Sequence, residues 1–422
     1  MSRNGRHQED KIALVLAGGG MTGAVYEIGA LRAIDDLLVD RSVNDFDIYV
    51  GTSAGSIVAS FIANGVSPAD MYRAIAGEHP DLPALRREHI FSFNYREFVR
   101  RGMALPSKLA AATVEYFFSG ADSTLVDTLW SLTDVLPSGL YDGRALERYI
   151  RESLVAADGS NDFDALAREL YIVATDLASG RRAVFGPDDG HDAPISQAVA
   201  ASSALPIVYK PVMIGGREFV DGGLGGTASL DIAIERGATL VVCVNPLVPY
   251  DDGRAPAPEA ELLTFSRRGL SAIASQVSRI TVHAGLKYHV KQLRRQHPEV
   301  DIILIEPRAD DQMLAFGNIM RYGERLAIAR HGFEAVTLDL AQDYQNYKEI
   351  LTRHGIPLTR RLVIEELQEI IRSGNDPEVI ERILEARKPR CDEKNRDSVF
   401  CKLAEALNQL EREIDSMQPV VA

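Results

Sequence analysis

Residues 11–31 read KIALVLAGGGMTGAVYEIGAL, and their order decides the fold. Apolar residues run unbroken from Ile12 to Ala17. A continuous apolar run with β-branched members, closed by a turn, predicts a strand buried on both faces. Gly18-Gly19-Gly20 closes it. From about Ala24, Val25, Ile28, Leu31, Ile34, Leu37 and Leu38 recur at helical spacing. Strand, glycine loop and helix in that order make the first unit of a sheet with crossover helices.

The rhythm continues outward. Ile48–Val50 predicts a second strand, Gly51-Thr52-Ser53-Ala54-Gly55 a sharp turn, and Ala54–Ala63 the next helix. Ser67-Pro68 predicts an N-cap followed by proline in the first helical turn. Further strands are expected at Leu170–Thr175, Glu218–Val220, Thr239–Val244 and Asp301–Glu306. The fold class expected is α/β, three layers, with a mostly parallel central sheet.

Between about Glu78 and Gly139 the rhythm breaks. Aromatic Phe91, Phe93, Tyr95, Phe98, Tyr116, Phe117, Phe118 and Trp130 mix there with helical apolar spacing, as a cap over a site or as packing helices. Ala255-Pro256-Ala257-Pro258 marks a loop. An amphipathic helix is expected from about Leu262 to Arg295; its Lys287, Lys291, Arg294 and Arg295 read as a solvated face, with a lipid-surface patch as the sharper alternative. After Ile356 the pattern is helical, with Asp376-Pro377 between two helices and a charged tail from Arg390. The division expected is a catalytic unit over 8–340, with an insertion or cap at about 78–139, and a helical extension over 341–422.

Composition narrows the function. The 422 residues include 46 basic and 60 acidic ones, a net charge of −14, which makes a nucleic-acid partner a poor expectation. Three cysteines, Cys243, Cys391 and Cys401, fit a reducing compartment and no metal site. Met1–Asp10 lacks the apolar core of a secretory signal, and no run reaches the roughly 20 apolar residues of a membrane span. The expectation is a cytoplasmic protein able to touch a membrane peripherally.

Gly51-Thr52-Ser53-Ala54-Gly55 fits a nucleophile elbow, a serine on a tight strand-to-helix turn whose neighbours must be small. The helix start behind it favours developing negative charge. Gly18-Gly19-Gly20-Met21-Thr22-Gly23 admits three readings, a dinucleotide loop, an oxyanion hole beside Ser53 and a plain tight turn. The dinucleotide reading wants an acid at the end of the next strand, where Gly51-Thr52-Ser53 stands instead. Asp221-Gly222-Gly223 ends a short strand and either presents a carboxylate or makes an ordinary turn. Nine histidines are present, and none, His191, His283 and His289 included, has a catalytic context. A carboxylate serves as base directly when partial desolvation raises its pKa.

Taken in order, Gly18-Gly19-Gly20-x-x-Gly23, Gly51-x-Ser53-x-Gly55 and Asp221-Gly222-Gly223 resemble the patatin-like phospholipase family. Ala201-Ser202-Ser203-Ala204-Leu205-Pro206 is similar to the family's loop ahead of the aspartate strand. The resemblance covers about Lys11–Asn245, with a weaker extension to about Val336. It implies a Ser53–Asp221 dyad that cleaves lipid acyl esters, of phospholipid or lysophospholipid, through an acyl-enzyme. Backbone amides from Gly18, Gly19, Gly20 and Met21 would form the oxyanion hole. No metal or organic cofactor is implied. Thr22 departs from the family's pattern, which has Arg or Lys before the last glycine of the loop. That weakens the implied preference for an anionic phospholipid; Arg181 or Arg182 is a candidate replacement for the charge.

Two other functions remain open at this point. Acyl transfer uses the same acyl-enzyme with another acceptor. A non-catalytic lipid-binding regulatory module would need neither Ser53 nor Asp221. A malonyl-transferase type would carry His before the serine, where Thr52 stands.

Overall fold

A computed structural model of the chain describes residues 10–102, 137–187, 190, 192–251, 253, 264–316, 320, 322–359, 361–374 and 376–386. Tyr116, Phe117, Phe118 and Trp130, the Ala255–Pro258 loop, His191, Cys391, Cys401 and the tail from Arg390 lie outside the described residues.

Ten strands are described: β1 (Lys11–Leu16), β2 (Ile48–Thr52), β3 (Gly139–Tyr141), β4 (Glu169–Asp176), β5 (Arg182–Phe185), β6 (Ile207–Tyr209), β7 (Val212–Ile214), β8 (Arg217–Asp221), β9 (Ala238–Val244) and β10 (Asp301–Ile305). The main sheet runs β10-β9-β1-β2-β4-β8-β7, with β5 also on β4, while β3 and β6 pair separately. Strands β10, β9, β1, β2 and β4 are mutually parallel, whereas β8 and β5 pair antiparallel to β4, and β7 to β8. The mostly parallel α/β sheet expected from the sequence is therefore present. The short strands β3, β5, β6 and β7 carry too little periodic pattern to be read in advance.

Strand β1 shows why the fold has three layers. Ile12, Leu14 and Leu16 enter one apolar cluster with the helix α1 (Gly20–Leu37) and the helix α2 (Ala54–Ala63). Ala13, Val15 and Ala17 enter a second cluster with residues of the helices Leu230–Glu235 and Leu270–Gln296. Alternate residues of a strand point to opposite faces, so an unbroken apolar run is what a strand covered on both sides requires.

Helix α1 starts at Gly20, four residues ahead of the sequence reading. Glycine discourages helix in isolation, but tertiary packing overrides that preference here. Built Cβ atoms at Gly19 and Gly23 would stand 2.7 and 3.0 Å from the Pro246 ring, so the helix start fits only without side chains. Farther along α1, a Cβ at Gly29 would stand 2.0 Å from the Ala329 carbonyl oxygen. This glycine lets the helix Arg325–Gln342 lie directly on α1.

The cap at Ser67 forms as expected, Asp70 N–H donating to Ser67 Oγ (3.1 Å); Asp376, expected only to separate two helices, also caps one, accepting from Glu378 N–H at Oδ1 (2.9 Å). The helices Arg361–Arg372 and Pro377–Glu385 contribute Ile370, Ile380, Ile383 and Leu384 to the same apolar cluster as α1. Buried Arg32 of α1 pairs with Asp36 and donates to the Ile383 carbonyl at 3.1 Å. Among the described residues, no helix is long and apolar enough to cross a membrane.

Candidate active site

Sheet register brings three sequence motifs to one end of the molecule. Leu16 of β1 is level with Gly51 of β2, Thr52 with Val173 of β4, and Ala174 with Asp221 of β8. The glycine loop leaves β1, Ser53 follows β2, and Asp221 ends β8, so all three meet at adjoining positions. Asp221 reaches this place on an antiparallel strand that enters the sheet beside β4.

Ser53 sits at the N-cap of α2 with φ 53° and ψ −126°. A positive φ is strained for a residue with a Cβ, and such strain concentrates at functional turns. Small neighbours make the turn possible: a Cβ at Gly51 would meet Ser56 Cα at 2.5 Å, and one at Gly55 would meet the Leu16 carbonyl oxygen at 2.5 Å. The Ser53 hydroxyl donates to Asp221 Oδ2 at 2.5 Å. Both side chains are buried, Ser53 at 8% and Asp221 at 3% exposure.

The Asp221 carboxyl is pushed up to about 6 by burial, against the lowering effect of hydrogen bonds from Ser53 and the Gly223 amide. Gly223 N–H donates to Asp221 Oδ1 at 2.8 Å. At Gly222, a Cβ would stand 2.2 Å from the Val173 carbonyl oxygen, which excludes any larger residue behind the carboxylate.

The segment Ala201–Pro206 holds both partners. Ser53 N–H donates to Ser202 Oγ (2.8 Å), whose own hydroxyl donates to the Val173 carbonyl (2.6 Å). Ser203 donates to the Ser53 carbonyl at 3.2 Å. Asp221 N–H donates to the Ala204 carbonyl at 3.0 Å. Thr175 Oγ1 donates to the Asp221 carbonyl at 3.1 Å. The sequence showed this segment only as a family-like stretch; the positioning roles of Ser202, Ser203 and Thr175 carry no local signal of their own.

The glycine loop needs one correction. Gly18 N–H donates to the Thr227 carbonyl at 2.9 Å, so it is already engaged and is not a free oxyanion donor. What Gly18 supplies is space: a Cβ there would stand 3.1 Å from Ser53 Cβ and 3.7 Å from its Oγ. Gly19, Gly20 and Met21 stand at the start of α1, where amides precede the first intrahelical acceptors, and all three line the cavity with Ser53. Gly23 N–H closes the turn onto the Gly19 carbonyl at 3.0 Å. Thr22 is buried, with its hydroxyl 3.5 Å from the Gly19 carbonyl.

Ser53 and Asp221 open into a cavity of about 1290 Å³. Ile57, Phe61, Met71, Ile75, Leu85 and Tyr149 are among its walls. No histidine is among the described lining residues. His283 lies 3.2 Å from Glu306, and His289 lies 3.5 Å from Asp231. Arg182 pairs with Asp231 at 2.7 Å, and neither Arg181 nor Arg182 lines the cavity, so neither replaces the charge absent at Thr22. Lys287 is taken up by Glu306 (2.5 Å) and Arg294 by the Ile302 carbonyl (2.8 Å). Cys243 is a buried free thiol in the second apolar cluster.

A serine hydroxyl bonded to a desolvated carboxylate, with helix-start amides alongside, makes up the candidate site. The family model described as patatin-like phospholipase matches residues 14–234, just over half of the chain, and the chain belongs to that family. It is 20% identical over 228 residues to the probable lipid hydrolase 463L of Invertebrate iridescent virus 6, covering 53% of this chain and 63% of that one. It is 29% identical over 222 residues to the uncharacterized protein YqhO of Bacillus subtilis (strain 168), covering 50% of this chain and 62% of that one. The chain thus spans about six-tenths of the length of these curated relatives. Among solved structures it is similar to VipD from Legionella pneumophila, at 15% identity and a TM-score of 0.34, over 96% of this chain and 87% of that one.

Proposed function

We propose that the chain hydrolyses acyl esters of lipids, phospholipids or lysophospholipids, with Ser53 as nucleophile and Asp221 as general base. One observation carries the reading: the Ser53 hydroxyl donates to a buried carboxylate at 2.5 Å in the wall of a large, mainly apolar cavity. A cavity of about 1290 Å³ exceeds the roughly 300–1,000 Å³ of ordinary small-molecule sites and accommodates a long acyl chain. Family membership and the name of the viral relative support the same class of substrate.

In the first half-reaction Ser53 Oγ attacks the ester carbonyl carbon, and its proton passes to Asp221. Amides of Gly19, Gly20 and Met21 stabilise the oxyanion. The C–O bond to the alcohol then breaks, and Asp221 returns the proton to the leaving oxygen. In the second half, Asp221 takes a proton from water as it attacks the acyl-enzyme. Fatty acid leaves and the Ser53 hydroxyl is restored. A carboxylate with a pKa near 6 is a stronger base than an ordinary aspartate yet is ionised at neutral pH.

Peripheral contact with a lipid surface belongs to the same reading. Ile207 and Leu224 line the cavity while remaining 81% and 60% exposed, which puts apolar side chains at its rim. Ile207 has φ 72°, a costly backbone conformation for a β-branched residue.

The test is incubation of the chain with a panel of phospholipids, lysophospholipids and monoacylglycerols, with products identified by mass spectrometry. Free fatty acid that disappears with Ser53→Ala is the expected result. Acyl chains found only on an alcohol or thiol acceptor would replace hydrolysis with transfer. No product from any lipid would leave a binding module.

A further inference from the structure

One part of the cavity lining has a different chemistry. Along the helix Leu270–Gln296, Ser271, Ser275 and Ser278 recur at intervals of four and three residues, the spacing of one helix face. All three line the cavity that contains Ser53. So do Arg268, at the C-terminal end of the preceding short helix, and Arg279, one residue after Ser278. Asp221 is the sole acidic residue among the described lining residues.

Arg279 is the informative member. It is 3% exposed, and its Nε is buried without a hydrogen-bond partner. Its guanidinium donates to the carbonyls of Leu314 (2.7 Å) and Val248 (3.3 Å). Those neutral acceptors use two of its five N–H donors. No carboxylate among the described residues lies within ion-pair distance. Asp311, whose charge Arg279 feels, is bonded to His331 at 2.5 Å. A buried cation without a counterion is costly, and such groups are ordinarily paired. An anion brought in by a ligand would supply the missing partner. Arg268 lies over the Phe316 ring, with Cζ 3.8 Å from its centroid, and is otherwise exposed at the mouth.

We propose that Arg279 and Arg268, with Ser271, Ser275 and Ser278, form a subsite for the phosphate of an acyl lipid whose ester lies at Ser53. The inference rests on the hydrolase reading for the ester, but not for the phosphate. It gives the chain a fixed positive charge in the cavity, which Thr22 does not provide, from a helix outside the family-matched segment 14–234. Guanidinium suits this task because its planar donors bond two phosphate oxygens at once. The subsite, Ser53 and the apolar Ile57, Phe61 and Ile75 all line the one cavity.

The experiment uses non-hydrolysable probes, so it does not depend on turnover. Decyl phosphate, decanol and inorganic phosphate are titrated against the full chain by calorimetry below their aggregation limits. The expected result is that decyl phosphate binds at least about tenfold tighter than either decanol or inorganic phosphate. Arg268→Gln is expected to lower the decyl phosphate to decanol affinity ratio severalfold, and Arg279→Gln to abolish it. The ratio is the readout because a misfolded variant loses both ligands together. Arg268, being exposed, gives a folded variant even if Arg279→Gln does not. Equal affinity for decyl phosphate and decanol, or a ratio unchanged in Arg268→Gln and in a folded Arg279→Gln, would overturn the subsite. Inorganic phosphate binding as tightly as decyl phosphate would also overturn it, assigning the arginines to free phosphate. If the phosphate advantage holds but the chain releases no fatty acid, the subsite stands and the hydrolase reading fails. If fatty acid is released but the advantage is absent, the reverse holds.

Discussion

The backbone amide of Ser53 donates to Oγ of Ser202 at 2.8 Å, and Ser202 in turn donates to the Val173 carbonyl. Ser202 is wholly buried and bonds Ser53 only through the Ser53 backbone amide. It therefore fixes the strained turn, without itself meeting a reacting atom. Ser202→Ala removes both bonds and takes the acceptor from the buried Ser53 amide. The expected loss of stability is about 1–3 kcal/mol. The kcat is expected to fall about tenfold or more, with KM changed much less. Thermal unfolding and steady-state kinetics on the same preparation check both.

With Asp221 as the proposed base, activity is expected to depend on pH. As base it must be ionised, so kcat/KM is expected to rise through about pH 6 and level off above it. A pH profile on a soluble short-chain ester measures this. A flat profile between pH 5 and pH 8 would remove Asp221 as the base.

The same shift has a stability consequence of opposite sign. A carboxyl whose folded pKa is raised from 3.8 to about 6 binds its proton more tightly in the folded state. Its contribution is fully present below about pH 3.8 and is lost as pH rises through about 6. At pH 8 the ionised group therefore destabilises the fold by at most about 3 kcal/mol. Asp221→Asn is expected to abolish turnover while matching or exceeding the parent's stability at pH 8. Denaturant unfolding of the two proteins at pH 5 and pH 8 tests it, the variant's advantage being larger at pH 8.

Gly18 and Gly29 contrast a glycine at the candidate site with a packing one. Gly18→Ala places a methyl 3.1 Å from Ser53 Cβ and is expected to lower kcat with little change in folding. Gly29→Ala drives a methyl to 2.0 Å from the Ala329 carbonyl oxygen and is expected to destabilise the fold by about 3 kcal/mol or more. Comparing kcat and unfolding free energy of the two variants measures the contrast.

The sequence makes some of this legible because certain features are local. The apolar run of β1, the small residues around Ser53, the cap at Ser67 and the helix break at Asp376-Pro377 each follow from neighbours in the chain. The six strands expected in advance are all present, within one or two residues at their ends. The insertion of β8 antiparallel beside β4, which carries Asp221 to Ser53, depends on pairings made across the sheet. The Gly18 amide looks free in sequence and is taken by Thr227. The basic residues near 181 look available, yet Arg182 is committed to Asp231, and the cations at the cavity come from Arg268 and Arg279. Each of these depends on a partner dozens of residues away.

The central claim is that Ser53 is the nucleophile and Asp221 activates it. The most direct measurement is labelling of the full chain with a fluorophosphonate, followed by digestion and mass spectrometry of the modified peptide. One adduct on Ser53, absent in Ser53→Ala and at least about a hundredfold slower to form in folded Asp221→Asn, is the predicted result. No adduct on the folded chain, or an adduct on another serine, would contradict it.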